Sequence, residues 1–435
     1  MIKGKRGLRW WVVSLVALAT IINYIDRQTI NVLWPGQIAP DLFPDMDADG
    51  HKYVLGIIST VFIFAYAAGQ AIFGKIFDWV GTRLGFVLSI GVWSIATAAH
   101  AFAQGVLSFS VFRAILGVAE AGNWPGATKA NAEWFPTKER ALAQGIFNSG
   151  AAIGGIIAIP LIGYMAVFLE WQVIFILVGL VGLLWLVPWW FIVKAPPEAH
   201  DWLSAEEREY ILTGQKTDPD GADGTEDYNP ATGELLSRRQ SWGVILASAA
   251  IDPIWWLFII WIPTYFFEVH NFDVKDVAAS AWLPFVGAML GAWFGGWLAG
   301  NRMNAGWSVN KTRKFVITLG CLIMLPALLA LSAVSSAWAA LWLMFAILFG
   351  FQVAIGNVQT LPSDFYGKAT VGTLAGISGM AAKLSAAALT YLVPVMTAGA
   401  NYYPVFVLGA ALALTAIASV WFLCGEIKPL KPKSA

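Results

Sequence analysis

Long apolar runs alternate with short polar breaks along this chain, and the length of the runs decides its class. Twelve of them recur, at about 10–33, 53–77, 84–104, 107–131, 140–164 and 171–193, then at about 241–268, 277–300, 313–333, 337–361, 369–392 and 401–424. About 20 apolar residues in helical form rise some 30 Å, the thickness of a bilayer's hydrocarbon core. Amides in lipid must be satisfied within their own segment, so each run predicts a spanning helix. The pattern predicts an all-α membrane protein of twelve transmembrane helices in two pseudo-symmetric six-helix halves, 1–193 and 241–435, with a polar connector at 194–240. In that connector Ser204 and Glu207 have the spacing of a capping box and predict a short surface helix. The acidic, turn-rich stretch after Gly214 reads as a solvated linker without chemistry.

Composition narrows this further. Of 435 residues, 58% are hydrophobic and 12% charged, with a mean hydropathy of +0.65. Soluble domains carry about 25% charged residues. A soluble enzyme, a disordered chain and a nucleic-acid binder are therefore excluded, the last because 27 Lys and Arg against 27 Asp and Glu leave no net field for a polyanion. Cys321 and Cys424 both lie in apolar runs, so neither a disulfide framework nor a thiolate metal site is expected. With the N-terminus inside, Lys52 and Lys275 fall in outer loops, Arg27, Arg113 and Lys383 within spans, and the remaining basic residues on the cytoplasmic side. That bias places both termini in the cytoplasm. The first run is long and lacks a small-residue cleavage site, so it begins a spanning helix rather than a signal peptide.

The charges inside the spans are the candidate chemistry, because ionisable groups at bilayer depth are costly and face a polar cavity or a partner. Asp26, Glu120 and Asp252 are the acids, and Arg27, Arg113 and Lys383 the bases. If the first helix ends near residue 33, Arg27 and Arg113 each lie about 9 Å below the outer boundary and Glu120 near the midplane. Arg113 and Glu120, two turns apart, share one helix face, as do Tyr24 and Arg27. An arginine presents a planar fork to a carboxylate, and a buried carboxylate changes protonation when a neighbouring cation moves. Together they suit the exchange of an organic anion against a proton; the alternative is a purely structural ion-pair network. Lys383 and Asp252 are a structural pair or a cavity lining. Asn357, Gln359, Ser363 and Ser378 are candidates for reading substrate hydroxyls, or equally for helix packing. Trp255, Trp256 and Trp261 cluster in the seventh run as possible cavity lining, and the four histidines, in loops or near helix ends, receive no role.

Between the second and third runs stands "GKIFDWVGTRLG", which resembles the Gly-x-x-x-Asp-x-x-Gly-x-Arg loop of the major facilitator superfamily at Gly74, Asp78, Gly81 and Arg83. Its second-half counterpart, "GGWLAGNR", has Gly300 where the Asp would stand, as expected of two related halves. "NYIDRQT" and "RAILGVAEAGNWPGATKANAEWFPTKERALAQGIFNSG" look like the anion:cation symporter family, and "AWLPFVGAMLGAWFGGWL", "RKFVITLG", "LPSDFYG" and "GISGMAAK" look most like its hexuronate branch. The Asp-Arg of the first helix is the galactonate-type pattern, and Lys383 departs from the uncharged residue expected there.

The resemblance implies a proton-coupled symporter that imports a sugar-acid anion across a bacterial inner membrane by alternating access. It implies that Asp26 and Glu120 carry the coupling protons, that Arg27 engages the substrate carboxylate with Tyr24 and Arg113 lining the site, and that Tyr66 contacts the sugar. The loop of Gly74, Asp78, Gly81 and Arg83 would gate the cytoplasmic side. The expected partners are a small organic anion and the lipid bilayer, with no nucleic acid, no cofactor beyond protons, and a monomeric state. The rivals are a galactonate, glucarate, aromatic-acid or dicarboxylate carrier, a non-transporting nutrient receptor, and a membrane enzyme, for which no His or Cys constellation supplies a nucleophile or metal site.

Overall fold

The computed structural model describes residues 7–216, 230–366 and 368–431. Twelve helices among them are long and apolar enough to cross a membrane. Spans one to six are Leu8–Leu42, Ala48–Phe77, Trp79–Phe102, Val106–Asn131, Gly145–Ala166 and Trp171–Ile192. Spans seven to twelve are Arg239–His270, Val274–Asn304, Val309–Leu331, Ala337–Phe365, Thr373–Met396 and Tyr403–Leu423. The protein is thus an all-helical, multi-pass membrane protein. Two compact units divide the chain, Met1–Pro44 with Val61–Gly224, and Asp45–Thr60 with Thr225–Ala435. The start of span two, up to Thr60, belongs with the second unit.

Prolines explain where the helices depart from regularity. Pro35 lacks the N–H that would bond the carbonyl four residues back, and its ring crowds that carbonyl. Span one answers with a widened π turn over Trp34–Ile38 and then continues through Ala39–Leu42. Its end therefore lies beyond residue 33, and Arg27 sits near mid-span rather than about 9 Å from the outer boundary. Pro125 acts similarly on the carbonyl of Ala121. Span four is accordingly two helices, Val106–Glu120 and Asn123–Trp134, with Glu120 as the last residue of the first. Asn123, just past the break, donates its side-chain amide to the Thr20 hydroxyl at 3.0 Å and so fixes the break against span one. Gly154 of span five lets the helices meet closely there: a Cβ on it would lie 2.6 Å from Cβ of Tyr24.

The motif between spans two and three is a clasp in the first unit. Gly81 has φ 77° and ψ 172°, a conformation open essentially to glycine alone. Arg83 then donates to the carbonyls of Trp190 and Lys194, both at 3.0 Å, and stacks 3.9 Å over the Trp190 ring. It thereby satisfies carbonyls at the C-terminal end of span six. Gly74 has open space where a Cβ would point. The Asp78 side chain lies outside the described residues.

The connector helix covers Ala205–Lys216. Ser204 caps it, accepting the Glu207 N–H at 3.2 Å. Glu207 does not complete a capping box. Its carboxylate takes the N–H groups of Gly7 (2.6 Å) and Leu8 (3.3 Å) and the Arg9 guanidinium (2.6 Å), capping the first turn of span one from another element. Arg9 also pairs with Glu139 at 3.0 Å, and Glu139 accepts the Tyr210 hydroxyl at 3.0 Å, a bond that raises the Tyr210 phenol above its ordinary pKa. The expected short surface helix is thus tied to the bundle. The acidic stretch at 217–229 lies outside the described residues.

Candidate functional site

Four charges converge inside the first unit, and they are not equivalent. The Arg27 guanidinium pairs with Glu120 at 2.9 Å and donates to Asn23 Oδ1 at 3.2 Å. Three rings surround it, those of Tyr24, Tyr66 and Phe62, with centroids 4.9, 5.2 and 5.5 Å away. Glu120, at the carbonyl end of a helix where a negative charge is least favoured, leans on this arginine from the neighbouring span. Sharing a face of span four therefore does not make Arg113 the partner of Glu120; the cross-helix partner wins.

Arg113 is 2% exposed and stacks 4.5 Å over the Phe62 ring. Among the described residues it has no ion-pair partner, and its Nε and Nη1 make no hydrogen bond. Asp26, 1% exposed, likewise has two carboxylate oxygens without a hydrogen-bond partner. Glu120 and Asp26 act on its charge without touching it; a buried guanidinium with unbonded donors is expensive, and its unused fork matches a carboxylate in shape and charge. Phe62 lies against both arginines, and with Asn23 it is a lining residue that sequence reasoning missed. Its signal was weak but present: Phe62 and Tyr66 are four apart and share a helix face.

The second unit holds its own charged groups. Lys383 pairs with Asp252 at 2.7 Å, and the Trp256 indole N–H donates to the same oxygen at 3.1 Å. Trp255 instead stacks on Phe351 at 5.3 Å, and Trp261 is 2% exposed in the core. Three other polar candidates of this unit make hydrogen bonds of their own. Asn357 accepts from Arg313 at 2.9 Å, and Arg313 pairs with Asp364 at 2.9 Å, so Asn357 is committed to a cluster at the C-terminal end of span ten. The exposed Ser363 donates to the Thr360 carbonyl at 2.7 Å, and Ser378 to that of Ala375 at 3.1 Å. Lys52 was assigned to an outer loop. It is instead 1% exposed in the first turn of span two, contacting the Thr397 carbonyl (2.6 Å), Asp49 (3.0 Å) and Glu268 (3.2 Å). The signal for it was its place, with Lys275, on the side that the charge bias disfavours.

His100 is fully buried, stacked on Phe175 at 5.1 Å with Nδ1 2.7 Å from the Ala96 carbonyl, in a packing role. Among the described residues no group of His, Cys, Asp and Glu is placed to hold a metal ion.

Comparison with known proteins agrees with this architecture. The family profile described as Major Facilitator Superfamily matches residues 16–390. The hexuronate transporter of Escherichia coli (strain K12) is 32% identical over 419 residues, covering 96% of this chain and 94% of that protein. The galacturonate transporter of Dickeya chrysanthemi is 33% identical over 322 residues, covering 74% and 90%. The D-galactonate transporter of Escherichia coli O6:H1 is 27% identical over 437 residues, covering 98% and 97%. Among solved structures, a bacterial homologue of the human lysosomal transporter Spinster aligns with a TM-score of 0.66 at 19% identity, covering 97% of this chain and 95% of that one. These relatives are membrane transporters, not enzymes.

Proposed function

Because the chain belongs to the Major Facilitator Superfamily, we propose that it is a proton-coupled symporter importing a hexuronate, such as glucuronate or galacturonate, by alternating access. Its setting is the inner membrane of a bacterium, with both termini in the cytoplasm. The reading is supported by the names of the hexuronate and galacturonate relatives and, above all, by the buried Arg113 guanidinium with two unbonded donors beside a closed Arg27–Glu120 pair. Arg113 takes the substrate carboxylate in a two-bond fork. A proton on Glu120 loosens its hold on Arg27, whose fork then completes the grip, while Tyr24 and Tyr66 present hydroxyls to the sugar. Asp26, buried beside Arg27 and Arg113, is the second proton carrier. A proton on Glu120 offsets the charge of the substrate, and a second on Asp26 leaves one net positive charge, which a membrane potential negative inside drives inward. The Gly74, Asp78, Gly81 and Arg83 loop serves closure on the cytoplasmic side.

The test is uptake of labelled galacturonate into proteoliposomes with an imposed pH gradient, acid outside. The expected result is gradient-driven accumulation that Glu120→Gln abolishes. Undiminished gradient-driven uptake by that variant would remove Glu120 from coupling, and absence of uptake for any uronate would remove the substrate class.

A further inference from the structure

Spans eight and nine of the second unit meet in a turn whose positive charges the fold leaves without a counter-charge. Span eight closes with Gly306 at φ 84°, a left-handed turn that glycine accepts, and the Trp307 N–H bonds the Arg302 carbonyl at 3.0 Å. This reversal lays the Trp307 ring 5.1 Å from the Arg302 guanidinium. Ser308 then caps span nine, accepting the Lys311 N–H at 3.3 Å, and the Lys311 ammonium comes to 4.1 Å from the same ring. Two cations thus converge on one indole, with Phe315 packed against it at 5.3 Å. Lys314 lies 4.8 Å over the Trp421 ring of span twelve, whose indole N–H donates to the Thr318 hydroxyl at 2.9 Å. Among the described residues Arg302, Lys311 and Lys314 form no ion pair, while Asp364 is taken by Arg313 and Glu426 by Lys428. The Arg302 Nε is buried without a hydrogen bond. The C-terminal segment reaches this same end, where the Ile427 N–H bonds Asn310 Oδ1 at 3.0 Å; in the proposed topology it is the cytoplasmic side.

Cations held over rings, with no acid among them, suit an anion that they can share, and guanidinium and ammonium groups both take phosphate. The surface beside them indicates what carries that phosphate. Lys311, Phe315 and Leu322, four and seven residues apart, share one face of span nine. Phe315, Leu322 and Trp421 are exposed, and on a spanning helix an exposed apolar side chain meets acyl chains. The strip runs from the charges toward the middle of the span Val309–Leu331. A charged head above an apolar strip matches a phospholipid, whereas a soluble anion would use the charges alone. A zwitterionic lipid would bring its own ammonium up to the same cations. We propose that Arg302, Lys311 and Lys314 hold the phosphate of an anionic phospholipid such as phosphatidylglycerol, with an acyl chain along Phe315 and Leu322. The site is separate from the cargo and from its coupling to protons.

The test offers the purified full-length protein equal amounts of phosphatidylglycerol and phosphatidylcholine and counts the retained lipids by native mass spectrometry. The wild-type protein is expected to retain phosphatidylglycerol about ten-fold over phosphatidylcholine, since each basic group at an anionic surface contributes about a five-fold attraction. Arg302→Gln combined with Lys311→Gln should bring that ratio close to parity. Lys428→Gln combined with Lys431→Gln removes as many charges from the same end of the unit and should leave the ratio unchanged. Equal losses in the two double variants would reduce the effect to general surface charge and overturn the proposal, as would a wild type without preference. A soluble glycerophosphate should not displace the lipid, and displacement by it would overturn the lipid assignment in favour of a free anion. Should the first double variant fail to fold, Lys311→Gln, at an exposed position in the first turn of span nine, decides alone, an unchanged ratio counting against the site.

Discussion

The two buried arginines should respond to the same substitution with opposite signs. Arg27→Met leaves Glu120, fully buried, without its partner at 2.9 Å. Breaking a buried pair from one side costs about 3–5 kcal/mol. Arg113→Met removes a guanidinium with two unbonded donors, Nε and Nη1. Each unsatisfied buried donor costs about 1–3 kcal/mol, and the lost stacking over Phe62 is worth about 0.5–2 kcal/mol. The two donors less the stacking leave about 0–5 kcal/mol, and the lost attraction to Glu120 and Asp26 brings the gain of the variant to about 1–3 kcal/mol, in line with that often seen when buried charge is replaced by apolar volume. For a unit of this size one kcal/mol moves the unfolding midpoint by about 2–4 °C. Arg113→Met should therefore unfold about 2–12 °C above the wild type, and Arg27→Met about 6–20 °C below it. Cys321 and Cys424 provide the assay, since both are fully buried and the Cys424 thiol is pushed up to about 12 by burial. At neutral pH the folded protein should not react with a thiol-reactive fluorophore, and the dye should report unfolding. The stabilised Arg113→Met protein should gain nothing further from galacturonate, because ligand stabilisation requires binding to the native state. A less stable Arg113→Met would refute the reasoning: it would mean that the fold itself compensates the Arg113 charge.

Two further outcomes follow from particular contacts. Glu207→Ala removes the acceptor of the Gly7 and Leu8 N–H groups and of Arg9, and charged hydrogen bonds of this kind are worth about 1.5–3 kcal/mol; the same dye assay should show a lower midpoint, and proteolysis should cut the connector helix faster. Gly81→Ala forces a side chain into a positive-φ conformation and should cost about 1–3 kcal/mol, whereas Gly74→Ala, with open space at its Cβ, should be neutral or slightly stabilising; equal losses in both would contradict the assignment of Gly81 as the strained position.

Much of the fold was legible because hydropathy along a line and the thickness of a bilayer are enough to count spans. The helix ends were less so. Pro35 was visible, but whether a proline stops a helix or widens it into a π turn depends on the neighbours that stabilise the continuation, and span one runs on to Leu42. In the connector, Ser204 behaved as local spacing predicts, while Glu207 went to the start of span one, a partner about 200 residues distant in sequence. The site shows the same division. Every charge inside the spans could be named, yet Arg113 and Glu120 on a common face gave no sign that Glu120 would choose Arg27.

By itself the chain's pattern determined the class of molecule, the number of crossings, and which charges lie where charge is costly, because these follow from local composition and the solvent alone. Only packing decided that Arg27 pairs with Glu120 and Arg113 keeps two unbonded donors, that Lys383 meets Asp252, and that Lys52 is buried. Pairing between ions depends on distances of a few ångströms between different helices, and those distances are set where proline breaks and glycine contacts let the helices approach.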